Sequence, residues 1–462
     1  MNATRSRPNV VFVLADDMGY GDFGVFNEGR SHTPAFDALI GEGICLTQHY
    51  SASCVCSPAG EAHRDRSREE RAMTSKERVL ATIRGEPVDR APVYHLQFSG
   101  HAASVILGRD DVCIGGEHNQ WLEMNAMWEG EDAHREFEAK CEADAVAITQ
   151  ACGMDLLRLG YWRWGERPTR KIDDRTFLFG DPDGDCHTLS YDPQIELFTR
   201  KTSKREAAES RTQMQAMITE DELAARVLAA EERARGCAAP AGPDARLEAT
   251  IDKYPDYLVR HGGGTVAIDM GSPSELMAVA LWPELYARLL LAQAHVHAAN
   301  VPVMAAAGLD VNISGCDFCS AQGPSVSPAT YRQVVIPALK LIVDACHERG
   351  MYYFYTSDGN FWPVADDLFE AAGVDGWLET DRSAGMDLRR LRERFPNVTF
   401  QGNIRVQVLH RGTPDDVVRE VTECLEVAHE LGGVIVGASN LIMPGTPPEN
   451  IIAMLETIEQ NR

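Results

Sequence analysis

Acidic and amide side chains follow five short apolar runs in the C-terminal half of the chain. Asp317 comes after "DVNISG" (310–315), Asp358 and Asn360 after "MYYFYTS" (351–357), and Glu379 lies within "GWLET" (376–380). Asn403 closes "TFQGN" (399–403) with Arg405 two residues beyond, and Asn440 follows "GVIVGAS" (433–439). Carboxylates gathered from the ends of different strands suit proton transfer or the orientation of a polar substrate. Each residue alone has a plain structural use, such as Asp317 or Asn403 capping a helix, or Glu379 pairing with Arg405. As a set they point to a site, with Asp358, Asp317 and Asn440 as catalytic candidates. Asn360, Glu379, Asn403, Arg405 and Arg163 are the substrate-binding candidates, and Arg158, Arg163 and Arg405 would serve either an anionic substrate or surface ion pairs. Cys316 and Cys319 form a Cys-x-x-Cys beside Asp317. Without two further ligands that pair is a weak metal signal, and ordinary thiols are the better reading.

Positioning these residues requires strands alternating with helices from Met73 onward. The candidate strands are 91–98, 155–160, 265–271, 310–315, 351–357, 376–380, 399–403 and 433–439, which predicts a (β/α)8 TIM-type barrel. The helices between them are well marked. "SPATYRQVVIPALKLIVDACHERG" offers Ser327 as N-cap, Pro328 in the first turn and Gly350 as stop; "TPDDVVREVTECLEVAHELGG" repeats the plan with Thr413, Pro414 and Gly432. "TPPENIIAMLETIEQ" predicts a capping box of Thr446 and Glu449. On such helices Cys346, Cys424 and His347 are packing or surface residues rather than ligands. A long gap after the second strand predicts an insertion over about 165–262, with a hairpin around "DPDG" and a helix over "EDELAARVLAAEERARG". Leaving from the C-terminal rim, it would serve as a lid or substrate wall, or else as a surface decoration or dimer contact.

The chain has 462 residues, 44% of them hydrophobic, enough for a large core. Its 69 acidic residues against 44 basic ones give a net charge of −25, which disfavours nucleic acid and anionic membranes as partners. A small molecule is the expected partner, with a homodimer as an open option. The twelve cysteines show no paired framework, which fits a reducing, cytoplasmic setting. No apolar run has the length of a membrane span, and the short "NVVFVLA" near Met1 has no cleavage site after it.

The first sixty residues read differently. "RPNVVFVLADDMGYGDFG" and "HTPAFDALIGEGICLTQHYSASCVCSPA" resemble the sulfatase family over about residues 7–59. The resemblance places Asp16 and Asp17 as calcium ligands and Cys56 as the cysteine that is oxidised to the formylglycine nucleophile. Gly60 stands where the family has an Arg, and later metal and sulfate ligands do not follow. The segment 1–60 is therefore expected to lack sulfatase activity, and the charged stretch 61–72 reads as a linker to the barrel at 73–462.

"MTSKERVLATIRGEPVDRAPV" (73–93), "QGPSVSPATYRQVVIPALKLIVDACHERG" (322–350), "QGNIRVQVLHRGTPDDV" (401–417) and "GASNLIMPGTPPENIIAM" (437–454) resemble the uroporphyrinogen decarboxylase superfamily. That superfamily of β/α barrels includes the haem-pathway decarboxylase and cobalamin-linked methyltransferases. The decarboxylase signature after the first strand is replaced by "VYHLQFSGHAASVI", and Asn440 stands where a His is implied. In the methyltransferases zinc is held by a His-x-Cys and a later Cys; the matching positions here are Thr356, Asp358 and Ser439 or Asn440. The resemblance thus implies methyl transfer linked to a corrinoid (cobalamin) or tetrahydrofolate, with a corrinoid protein as a partner and without a standard zinc site. Cofactor-free decarboxylation of a porphyrinogen is the second reading. A barrel that only binds a small ligand or a corrinoid protein is the third.

Overall fold

The computed structural model describes residues 32–34, 37–38, 73–160, 163–202, 217–237 and 242–462. The chain divides into two units, Met1–Ala72 and Met73–Arg462. Within the first, the Thr33 hydroxyl donates to Asp37 Oδ1 at 3.1 Å. Asp16, Asp17, Cys56, Gly60 and the segment 61–72 lie outside the described residues.

The second unit is a mixed α/β fold. Its main strands are β1 (Gln97–Phe98), β2 (Leu156–Leu157), β3 (Leu258–Val259), β4 (Val311–Ser314), β5 (Tyr352–Thr356), β6 (Gly376–Leu378), β7 (Thr399–Ile404) and β8 (Val434–Ala438). A parallel five-stranded sheet runs in the order β8-β7-β6-β5-β4, with Tyr352 opposite Val311, Thr356 opposite Leu378 and Asn403 opposite Gly437. Its strands are buried apolar runs, as a sheet covered on both faces requires: Tyr353, Phe354, Trp377, Phe400, Ile435 and Val436 are all shielded from solvent. Shorter pairings extend the strand set. Val93 bridges Val436 and Leu96 N–H donates to Ala438 O; Asp155 N–H donates to Val93 O; Leu156 pairs with Leu258; Ile313 N–H donates to His261 O. Gly437 permits the first of these contacts, because a Cβ there would strike the Tyr94 carbonyl.

The third strand departs from expectation. Residues 265–271 carry the better β-pattern, yet 262–269 form no strand, and the pairing segment is Leu258–Val259, inside the expected insertion. Gly262, Gly263 and Gly264 separate the two, and Gly264 turns the chain with φ +96°. The insertion therefore ends before residue 258. It contains a four-stranded antiparallel sheet (Arg170–Lys171, Thr176–Gly180, Cys186–Asp192, Leu197–Thr202) whose Phe177, Phe179 and Leu189 bury against Met124, followed by the expected helix Glu220–Gly236. Glu196, at φ +53°, sends its carboxylate to the N–H groups of Gly100 (2.6 Å) and His101 (2.7 Å), at the start of helix Gly100–Leu107. An anion at a helix N-terminus is stabilised there, so this contact fastens the insertion beside the C-terminal end of β1.

Ser327 and Thr413 cap their helices as the motifs indicate. The first helix breaks in two, Pro328–Val334 and Ile336–His347, because Pro337 has no N–H to give Gln333. The capping box at Thr446 does not form: Pro447 is the N-cap of Pro448–Asn461, and the Thr446 hydroxyl donates instead to Met443 O. Cys346 and Cys424 are buried, and His347 pairs with Asp375 at 2.8 Å. Helix Pro283–Ala306 is long and apolar enough, by length and composition, to cross a membrane; in the fold its Tyr286, Leu289 and Leu290 join the main core.

Candidate active site at the C-terminal strand ends

Thr356 ends β5, and two residues on Asp358 accepts a hydrogen bond from Asn440 Nδ2, beyond β8, at 3.2 Å. Gly359, at φ +81°, lets the chain fold back there, where a Cβ would meet Cys319. Burial first, and then the charges of Asp317 and Asp381, raise the Asp358 carboxyl above its usual range. Asn440 and Asp358 thus meet, and Asp317 is close enough to act on Asp358 electrostatically.

Glu379 directly follows β6 and adopts φ +70°, a backbone conformation that non-glycine residues rarely hold. Its N–H donates to Gln401 Oε1 (3.1 Å), and Thr356 Oγ1 donates to its Oε1 (2.7 Å). The side chain keeps some access to solvent, yet dense protein around it makes desolvation the main influence on its charge. Together with Asp317 and Asp358, and against the Thr356 hydrogen bond and Arg260, desolvation pushes its pKa up to about 7. Glu379 is therefore poised between acid and base at neutral pH, whereas the sequence offered it only as a substrate-binding residue.

Three other candidates are committed elsewhere. Arg405 makes a forked ion pair with Glu420 (2.9 and 2.6 Å) rather than with Glu379. Arg163 binds Glu123 and Glu138. Asn403 is buried, donating to Met386 O and accepting from Cys424 Sγ, and it caps no helix. Asn360 turns its Oδ1 to Trp362 N–H at 3.1 Å, holding the turn after β5. Asp317 caps no helix either; the following N-cap is Ser327. Arg158 donates to the carbonyls of Leu96 and Gly160.

The residues present do not suit a thiolate-activating zinc. Burial, with Asp358 and Asp317 nearby, pushes the Cys319 thiol up to about 12, and burial and Asp317 also raise Cys316. Thr356, Asp358 and Asn440 supply oxygen and amide groups rather than soft ligands. Among the described residues no group of three His, Cys, Asp or Glu is arranged to hold a metal ion.

Arg260 is a candidate that sequence reasoning missed. It immediately follows β3, its Nε is buried without a hydrogen-bond partner, and its guanidinium lies 5.9 Å from the centre of the Tyr94 ring. Tyr94 is fully buried and its hydroxyl also lacks a partner, as do buried polar atoms of Gln97 and Thr380. Arg260, His261, Gly160 and Arg163 line a cavity of about 520 Å³ at the ends of β2 and β3.

Comparison with known proteins bears out the composite. Residues 265–461 match the family model described as uroporphyrinogen decarboxylase (URO-D), and residues 8–78 match the sulfatase model. The chain thus joins a stretch that matches the URO-D family model to a sulfatase-like segment that precedes it in sequence. Two curated relatives align with the sulfatase-like stretch: arylsulfatase H of Canis lupus familiaris and steryl-sulfatase of Homo sapiens are each 46% identical over 57 residues, 12% of this chain. The chain spans about 10% of the length of those relatives. A solved methyltransferase from Methanosarcina mazei aligns over 84% of this chain and 99% of its own, at 19% identity and a TM-score of 0.49.

Proposed function

We propose that the Met73–Arg462 unit is a β/α-barrel enzyme that transfers a methyl group from a neutral donor, with Glu379 supplying the proton that the departing heteroatom needs. The parallel pairings β4 to β8 and β2 with β3, with the Val93–Val436 and His261–Asn312 bridges, support a ring of eight strands. One observation carries the chemistry: Glu379 is a carboxyl held near neutrality, hydrogen-bonded by Thr356 and set among strand-end polar groups. In the reaction the carbon–heteroatom bond breaks, its electron pair stays on the heteroatom, and that atom takes the Glu379 proton; solvent then reprotonates Glu379. General-acid help of this kind is worth about 10²–10⁴-fold in rate. A corrinoid, free or on a carrier protein, or a folate would be the co-substrate that accepts the methyl group. Asp358, fixed by Asn440, and Asp317 hold Glu379 protonated and present negative charge to the donor.

Decarboxylation of a porphyrinogen stands second, because three acidic side chains facing one arginine would repel a substrate with many carboxylates. The test is incubation of the full chain with reduced cobalamin and a panel of methylated amines and methyl ethers, following corrinoid absorbance. Methylation by the wild type that Glu379→Gln abolishes supports the assignment. Loss of carboxylates from uroporphyrinogen in its place overturns it.

A further inference from the structure

The cavity of about 520 Å³ at the ends of β2 and β3 is walled by helices Glu131–Ala151 and Ala245–Lys253, and its charged groups are unevenly satisfied. Three acids line it, and each already has donors. Glu138 accepts from Arg163 at 3.0 Å, and Glu142 accepts from Lys253 Nζ (2.6 Å) and the Tyr254 hydroxyl (2.7 Å). Asp244 caps its helix through the N–H groups of Arg246 (2.9 Å) and Leu247 (3.0 Å). The cations divide differently. Arg163 is held by Glu123 and Glu138, whereas among the described residues the Arg246 and Arg260 side chains donate no hydrogen bond and make no ion pair. Arg246 is exposed and Arg260 half-buried, with its Nε wholly shielded. His261 lines the same cavity, and burial lowers its pKa more than Asp244 raises it, which leaves a neutral imidazole at neutral pH. Leu159, Leu247 and Val259 supply apolar wall.

We propose that this cavity binds a phosphate monoester, its phosphate held by Arg246, Arg260 and the His261 ring N–H and its apolar part set against Leu159, Leu247 and Val259. The site is defined by its own lining and does not depend on the methyl-transfer reading above. A single carboxylate would be filled by one guanidinium fork, leaving the second without an acceptor. A phosphate monoester carries about two negative charges near neutral pH and several acceptor oxygens, which matches two unpaired guanidiniums with an imidazole donor beside them. Glu138, Glu142 and Asp244 keep their own charges in the wall, so a ligand with further anionic groups would meet repulsion there. The volume falls within the usual range for small-molecule sites.

Calorimetric titration of the full chain tests this with ligands that share a ring or a phosphate: phenyl phosphate, benzoate, benzyl alcohol and inorganic phosphate. Phenyl phosphate is expected to bind at least about tenfold more tightly than benzoate, the size of one good charge-assisted contact, and benzyl alcohol most weakly. Inorganic phosphate should bind more weakly than phenyl phosphate, because it leaves the apolar wall unused. Arg246→Gln and Arg260→Gln should each weaken phenyl phosphate by about tenfold or more and leave benzyl alcohol unchanged. Arg246 is exposed, so its variant keeps the test readable should Arg260→Gln disturb the fold. Arg411→Gln, in a second cavity of about 370 Å³ lined by Arg382 and Arg405, is the control and should leave phenyl phosphate binding unchanged. Binding of none of the four overturns the proposal, as does a loss confined to Arg411→Gln. Benzoate binding as tightly as phenyl phosphate, or inorganic phosphate binding as tightly as its ester, overturns the ligand class.

Discussion

Two carboxylates, the buried Asp155 at the N-terminal end of β2 and the half-buried Glu379 at the C-terminal end of β6, live under opposite conditions. Asp155 is wholly shielded and saturated with donors: Arg78 Nη1 at 2.5 Å, Arg90 Nη1 and Nη2 at 3.0 Å, and the Val93 N–H at 2.8 Å. Glu379 accepts from Thr356, sits in a rare backbone conformation and faces two further acids. At one end of the strands charge is neutralised, which ties helix Ser75–Ile83 and β1 to β2; at the other it is left in excess. In β/α barrels the first pattern marks stability and the second marks chemistry. The contrast extends to Arg405, which looks like a site residue by its place after β7 but is satisfied by Glu420 in the manner of Asp155.

The sharpest way to break this comparison is to neutralise each carboxylate in turn. Glu379→Gln should lower turnover by about 10²–10⁴-fold while leaving the fold intact. Asp155→Asn should instead cost about 3–5 kcal/mol of stability in chemical denaturation, because Arg78 and Arg90 lose their shared buried counter-charge. Equal stability losses in both variants would erase the distinction between the two ends.

A second effect concerns pH. The folded-state pKa of Glu379, about 7, lies above its value in an unfolded chain, so between roughly pH 4.5 and 7 the folded state holds a proton that the unfolded state has released. Its contribution to stability is therefore lost as pH rises through that window. Wild type should lose on the order of 2–3 kcal/mol more than Glu379→Gln between pH 4.5 and pH 8, read from denaturant midpoints. Turnover, which needs the protonated form, should fall above pH 7. Asp358→Asn removes a like charge, so it should move that limb down by roughly half a unit; Asp317→Asn should act in the same direction. The smallest expected effect is that of removing residues 1–72: because Met73–Arg462 is a compact unit by itself, one cooperative transition should remain with little change in midpoint.

Much of this was legible in the sequence where strands are long and apolar. β4, β5, β6 and β8 fall within the expected runs and β7 overruns its own by one residue, while Asp358 and Asn440 follow their strands at the expected places and Glu379 lies just past the end of a shorter β6. Arg260 was not legible, because its strand is only Leu258–Val259 and lies in a stretch assigned to the insertion, while the stronger pattern at 265–271 stays unpaired. Arg163, Arg405 and Asn403 misled for another reason. Their partners, Glu123, Glu420 and Met386 with Cys424, lie 15 or more residues away in sequence, so strand-end position alone does not reveal whether a polar group is already satisfied.

The central claim is that one carboxyl at the strand ends stays protonated close to neutral pH, and infrared difference spectroscopy tests it directly. The carbonyl stretch of a protonated carboxyl is followed against pH in the wild type and in Glu379→Gln. A band that disappears around pH 7 in the wild type and is missing from the variant is the result this account predicts. A Glu379 band already lost near pH 4.5 would contradict it, and would leave the strand-end acids as fixed negative charge with no proton to give.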